Sequence, residues 1–280
     1  LSILGDVSTA AKPVGQRIVI GAQEKVGKTT LACGAPKPLL IPMEMGFGPM
    51  TVPKTRMITT WDSVMALFDE IGNSAAQGKF PHQSLVWDSA TALETLIHKA
   101  TLAKDPNYSP NNAKALTMEA ALGGYGKAYQ YANELFGKFT YYSDLLAVNF
   151  GINTILTCHV FASRIVDPTS GEYDTWDLLL HSPKNNKNYG KREMITQWAD
   201  MVGFMYEPVM VIVNDKQAMS RAVTQNRGRV IGVDRTPQYV AGNRYRMTGE
   251  IPIPLSQGWN YLADAIYKAS GIDLFNRDLK

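Results

Sequence analysis

Residues 17–31, reading Arg-Ile-Val-Ile-Gly-Ala-Gln-Glu-Lys-Val-Gly-Lys-Thr-Thr-Leu, constrain the fold more than any other stretch of this chain. A β-branched run ends at Ile20, Gly27-Lys28-Thr29 closes a polar loop, and Thr30 to Cys33 continue in helix-compatible residues. Strand, loop and helix in that order aim the loop's backbone N–H groups and the positive end of the helix dipole at one point, and that arrangement binds phosphate. The spacing follows the phosphate-loop pattern Gly-x-x-x-x-Gly-Lys-[Ser/Thr], in which the lysine reaches the β- and γ-phosphates and the hydroxyl ligates Mg²⁺. Ala22, Gln23, Glu24, Lys25, Val26, Gly27, Lys28, Thr29 and Thr30 are therefore the expected cradle for a nucleoside triphosphate. One position departs from the pattern: Ala22 stands where the first glycine belongs, with Gly21 beside it. Either position 22 needs no positive φ, or Gly21 absorbs the turn.

The 280 residues suffice for one large α/β domain or two small ones, and 45% hydrophobic with 19% charged content is ordinary for a soluble globular chain. No apolar run approaches the roughly 18 residues of a membrane span. No basic-then-apolar start resembles a secretion signal, so a cytoplasmic protein without a membrane partner is expected. The sequence begins at Leu1 rather than Met, which points to a start further upstream. Cys33 and Cys158 sit on apolar stretches in no metal-ligand spacing and read as buried free thiols of a reducing compartment. The net charge of +3 is uneven: from Lys184 to Arg246 stand eleven Lys/Arg against five Asp/Glu. Such a stretch is either a nucleic-acid footprint or a solvated surface, and charge alone does not choose.

Past the phosphate loop, Pro36-Lys37-Pro38 breaks the chain, and Leu39–Met43 is a short apolar strand ending at Glu44. Trp61 to Ile71 has helical spacing (Val64, Leu67, Phe68, Ile71), with Gly72-Asn73 as the expected C-cap. Ser84–Asp88 reads as a buried strand and Ala92–Ala103 as a helix. Residues 104–124, rich in Asn, Pro, Gly and Ala, read as a mobile excursion. Tyr125–Val148 carries a long amphipathic helix, and Asn153–Thr157 is a third core strand. This alternation predicts a mostly parallel twisted sheet with helices on both faces. Beyond residue 160 the pattern becomes β-rich. Arg164–Tyr173 reads as a hairpin around Asp-Pro-Thr-Ser-Gly, 182–190 as a polar basic loop, and Met201–Met205 as a return to the sheet. Segments 209–213, 219–225 and 228–233 read as antiparallel strands, the last two turning at Asn226-Arg227-Gly228. Pro252 and Pro254 lead into a closing helix, Trp259–Ala269. No repeat or long linker interrupts this, so one domain over 1–280 is expected: a nucleotide-binding half (15–160), a β-rich half with the basic loop (161–255), and a C-terminal helix and tail (256–280).

Three side chains fall where a phosphate site needs chemistry. Asp88 ends an apolar strand about sixty residues after Lys28, at the carboxyl end of the parallel strands where open α/β sheets bind ligands. Its carboxylate would hold Mg²⁺ through a water, cap the next helix, or both. Glu44 could orient and deprotonate a water attacking the γ-phosphate; a surface loop glutamate is the alternative. His159 ends the third core strand on the same edge, either in reach of the γ-phosphate and the attacking water or as a structural histidine. His82, His98 and His181 share no ligand spacing, and no metal beyond Mg²⁺ is expected.

Together these residues resemble a family. Asp88-Ser-Ala-Thr-Ala-Leu93 is similar to the Asp-Ser-x-x-Ala-Leu stretch of RecA-type recombinases. Leu39–Glu44 resembles that family's second strand, which ends in its catalytic Glu, and His159 stands where the family carries a polar sensor, usually Gln. More closely, the chain resembles the short phage-encoded RecA-like ATPases of the Sak type, core-only recombinase relatives that assist single-strand annealing. Segments 28–32, 35–39, 198–204 and 241–246 fit that group, and the likeness covers about residues 15–265.

The resemblance implies a RecA-like P-loop NTPase core that binds ATP and Mg²⁺ and hydrolyses ATP. Lys28 and Thr29 would bind phosphate and metal, Asp88 would hold the metal, Glu44 would activate water and His159 would sense the γ-phosphate, making Glu44, Lys28 and His159 the catalytic set. Arg244 or Arg246 would reach a neighbour's nucleotide in a homo-oligomer, although a surface arginine explains either one. Loop 182–192 would face single-stranded DNA, with Lys184, Lys187, Lys191 and Arg192 on phosphates and Tyr189 on a base; a solvated Asn/Lys loop has the same letters. A single-strand-binding or annealing protein is a further implied partner, and the host cytoplasm the implied compartment.

The chain departs from that pattern at Ala22 and His159. Its phosphate loop also starts about twenty residues into the sequence given, so within these residues no N-terminal oligomerisation or DNA-binding domain is expected ahead of it. The implied function is DNA-stimulated ATP hydrolysis in phage recombination or repair. A P-loop kinase of a small phosphate acceptor would need an Arg-bearing lid, and 104–124 contains lysines but no arginine. A nucleotide-gated loader or scaffold with negligible hydrolysis is the third reading.

Overall fold

The apolar runs at 17–22, 38–42, 84–88, 153–158 and 201–206 are strands covered on both faces, which is why none alternates cleanly between polar and apolar residues. The structure, a computed structural model, describes residues 14–46, 50–109, 116–169, 171–183, 190–212, 221–224 and 228–275. Its elements in chain order are β1 (Arg17–Ala22), α1 (Lys28–Ala32), β2 (Pro38–Pro42), α2 (Trp61–Ala76), β3 (Ser84–Asp88), α3 (Ala90–Leu102) and α4 (Lys127–Phe150). They continue with β4 (Asn153–Cys158), β5 (Val160–Asp167), β6 (Gly171–Leu178), α5 (Lys191–Trp198), β7 (Met201–Tyr206), β8 (Val209–Ile212) and β9 (Arg221–Thr224). The last are β10 (Arg229–Gly232), β11 (Gly242–Asn243), β12 (Glu250–Ile253) and α6 (Gly258–Ser270).

One eight-stranded sheet runs β12-β10-β7-β1-β4-β3-β2, with β11 also on β7. The neighbours from β7 to β2 are parallel, and β10, β11 and β12 join antiparallel. This is the mixed α/β architecture that the sequence predicts, with its antiparallel extension. Alternate strand residues point to opposite faces. Val19, Leu85, Trp87 and Leu156 pack with α2, α3 and α4, while Ile18, Ile20, Val86 and Ile155 pack with α1 and α6. On the first face Trp87 packs tilted against Phe68 and edge-to-face with Phe139, with ring centroids 5.1 and 5.0 Å away. Such pairs contribute about 0.5–1.5 kcal/mol each beyond their burial. Among the described residues no helix is long and apolar enough to cross a membrane.

Several local expectations are corrected. Helix α2 runs through Gly72 and Asn73 to Ala76, because a glycine inside a helix costs only about 1 kcal/mol and the buried stripe Trp61, Val64, Phe68 and Ile71 anchors the helix. The flanks of 104–124 are pinned rather than loose: the Asp105 carboxylate accepts the amides of Asn107 and Leu122, and Met118 and Ala121 are buried. The strands expected at 219–225 and 228–233 do not pair with each other. β9 pairs with β8, and β10 lies between β7 and β12 in the main sheet. Hairpin β5–β6 forms as expected. The basic loop ends early, since α5 begins at Lys191.

Candidate active site

Strands β1, β2, β3 and β4 end together on one edge of the sheet, and the end of β3 and the chain leaving the other three supply polar groups to one cavity of about 600 Å³. Its lining includes Glu24, Lys25, Gly27, Lys28, Thr29, Thr30, Glu44, Asp88 and His159. The turn that shapes the loop uses positive φ at Lys25 (63°) and Gly27 (99°), and neither Gly21 nor Ala22 adopts it. Position 22 is an ordinary strand residue with a buried side chain, so alanine serves there. Gly21 is small for a different reason: a Cβ there would stand 2.9 Å from Leu178 and 3.2 Å from Val160. Leu31 N–H bonds to the Gly27 carbonyl, so the amides of the loop and first turn ahead of it are not used by α1.

Lys28 is 7% exposed, and its Nζ lies 3.5 Å from Nδ1 of His159. Nε2 of His159 lies 3.1 Å from Oε1 of Glu44. With its proton on Nε2, the ring accepts from Lys28 and donates to Glu44, joining the three side chains in a row. That His159 bond, with help from Ser89 and the Lys28 charge, holds the Glu44 carboxyl below the usual carboxylate range against the effect of burial. On the other side of Lys28, Thr29 Oγ1 donates to Asp88 Oδ2 at 3.1 Å, and the Thr157 hydroxyl donates to Asp88 Oδ1. Asp88 is 4% exposed. It does not cap α3; Ser89 does, accepting from Ala92 N–H.

The donor set fits Mg²⁺. A threonine hydroxyl and a carboxylate are hard oxygen ligands, and Mg²⁺ is commonly completed by waters and substrate phosphates. Among the described residues no cluster of three His, Cys, Asp or Glu side chains would hold a metal through protein groups alone. Cys33 and Cys158 are free and buried, and burial pushes both thiols up to about 12, which disfavours the reactive thiolate.

The remaining candidates lie elsewhere. Lys191 is fully buried, with its Nζ 3.1 Å from His98 Nε2 and 3.5 Å from Glu94 Oε1, so it cannot reach a nucleic-acid backbone. Arg192 pairs with Asp177 at 2.7 Å and with Glu193 at 3.3 Å, which withdraws its charge from solvent contacts. Both are corrections to the DNA-facing loop, and Lys184, Lys187 and Tyr189 lie outside the described residues. Arg244 is held by Asp200 and the Gln197 carbonyl at the other end of β1 from the phosphate loop, and Asp200 also binds Arg17. That shared ion pair competes with its reading as an arginine presented to a neighbour's nucleotide. Arg246 is exposed, on a backbone with φ 66°.

Sequence reasoning missed Thr157, Thr91 and Arg229. Thr157 had a legible cue: it stands near the end of β4, two residues before His159 and on the strand that pairs with the one ending in Asp88. Thr91 accepts from His159 N–H at 3.3 Å and donates to the Leu179 carbonyl at 3.2 Å, while Leu179 N–H bonds the His159 carbonyl at 2.8 Å. These three bonds tie the end of β4 to the start of α3 and the end of β6.

A phosphate loop between the central strand and α1, with a buried carboxylate on the neighbouring strand end, defines a P-loop NTPase. The sequence matches the AAA domain family over residues 14–245, and the chain belongs to that family of nucleotide-binding ATPases. No curated protein matches the sequence.

Proposed function

We propose that this chain is a RecA-like ATPase acting on single-stranded DNA in recombination or repair, of the phage-encoded Sak type. The observation that supports it most is the row Lys28–His159–Glu44, whose middle residue is bonded through its backbone to the base of hairpin β5–β6. A γ-phosphate arriving at Lys28 would compete with His159 for that ammonium. Releasing His159 would disturb both Glu44 and the segment that follows β6. Nucleotide occupancy and a surface beyond the site would thereby be coupled through one side chain.

In this reading Lys28 and the loop amides bind the β- and γ-phosphates, and Thr29 and Asp88 hold Mg²⁺. The metal would neutralise charge on the phosphate oxygens. The bond to His159 keeps the Glu44 carboxylate charged, so Glu44 would orient the attacking water and accept its proton. Because that bond also occupies Glu44, it favours, as a second reading, a nucleotide-gated loader that hydrolyses slowly. Binding to a single-strand-binding or annealing protein, and assembly with further copies, belong to the proposal.

The test is steady-state ATP hydrolysis at low salt with and without single-stranded DNA. Single strands should raise the rate, and added salt should abolish the increase by displacing phosphate contacts. An unchanged rate together with no DNA binding at low salt would remove the recombination reading. A phosphorylated small molecule as product would instead indicate a kinase.

A further inference from the structure

Behind the phosphate loop lies a buried charge that the catalytic constellation does not use. Arg229 opens β10 and is 5% exposed. Its Nη1 donates to the Val26 carbonyl at 2.9 Å, and its Nη2 donates to the Pro254 carbonyl at 3.1 Å. Nε has no partner among the described residues, and none of their ion pairs includes this guanidinium. Burial disfavours this charge, and Glu207 offsets that only at longer range than an ion pair, so its retention asks for a role.

The geometry supplies one. Arg229 does not line the phosphate cavity, whereas Gly27 does. A Cβ on Gly27 would collide with Nη1, so the guanidinium rests directly against the loop. A trans peptide is planar, with its C=O and N–H pointing in opposite directions. Holding the Val26 carbonyl toward Arg229 therefore turns the Gly27 N–H away from it. The second bond, to Pro254, fastens the loop to the segment between β12 and α6.

We propose that Arg229 is a positioning residue for the phosphate loop. It fixes the Val26–Gly27 peptide so that the Gly27 N–H faces the phosphates, and its charge, only partly offset by Glu207, is further balanced by the bound phosphate across the loop. The proposal rests on the nucleotide-site reading. It deepens that reading by naming the residue that sets the loop's shape and making affinity depend on phosphate count.

The test is the affinity of wild type, Arg229→Gln and Arg229→Lys for ATP, ADP and AMP with Mg²⁺, measured by calorimetry and, for AMP, by competition. Arg229→Gln should weaken ATP by at least about tenfold, as expected for a lost charge-assisted contact, ADP by less, and AMP least. Arg229→Lys should recover part of the loss. If Arg229→Gln does not fold, the same graded loss in Arg229→Lys supports the proposal. Wild-type ATP affinity in the folded variant, or an equal loss for all three nucleotides, would overturn it. A wild-type protein that binds no ATP would instead bring down the nucleotide reading beneath it.

Discussion

At the residue scale, the site is a set of mutual constraints around Lys28. The lysine was legible from its motif, and Asp88 from its place at the end of an apolar strand. Ala22 was legible only as an anomaly, because a pattern records where glycine is usual and not where φ is positive. The positive φ falls at Lys25 and Gly27, so the first glycine is dispensable here. Thr157 carries the most direct residue-level prediction. Its hydroxyl is the partner of Asp88 Oδ1, and Thr157→Val would leave a buried carboxylate oxygen without that donor. Losing such a bond costs about 1–3 kcal/mol. A second-layer group of this kind typically changes metal affinity about 10–100-fold. Titrating Mg²⁺ against ATP hydrolysis should show a half-saturating concentration raised by that order; an unchanged midpoint would mean that Asp88 needs no such support.

At the element scale, strands and long helices were legible because burial on both faces and a 3.6-residue stripe leave strong patterns. Strand partners were not. Nothing local distinguishes β10, which crosses to the main sheet, from a strand that would pair back on β9, since register is decided by long-range packing. The basic loop misled for a related reason: Lys191 looks solvated in sequence but lies under α3. There burial draws Lys191 down and Glu94 up, and burial followed by the Lys191 charge pushes His98 down to about 4. A histidine depressed in the folded state is neutral there while the unfolded chain protonates it near 6.5. Its contribution is therefore complete above about 6.5 and is lost as pH falls toward 4, by up to roughly 3 kcal/mol. Urea unfolding at pH 7 and pH 5 should show a smaller drop in His98→Gln than in wild type. Equal drops would mean that the α3–α5 clamp does not titrate in that range.

At the scale of the whole molecule, the sheet gathers one edge and spends it on phosphate chemistry. Five parallel strands bring together groups from distant parts of the sequence, and the antiparallel strands β10 and β12 extend the same sheet to place Arg229 and Pro254 behind the loop. The nucleotide half could be read from the sequence because its motifs are local. A nucleic-acid surface could not be read from it, because charge composition does not reveal which cations are already paired, as Lys191, Arg192 and Arg244 are. The measurement that bears most directly on the central claim is phosphate release from ATP with Mg²⁺ by wild type, Lys28→Ala and Glu44→Gln, with ATP binding measured on each. Wild type should turn over; Lys28→Ala should lose both binding and turnover. Glu44→Gln should bind ATP normally and hydrolyse it about 100-fold more slowly, the usual scale of a lost positioned base. ATP binding that survives in Lys28→Ala, or a wild type that neither binds nor hydrolyses ATP, would contradict the account.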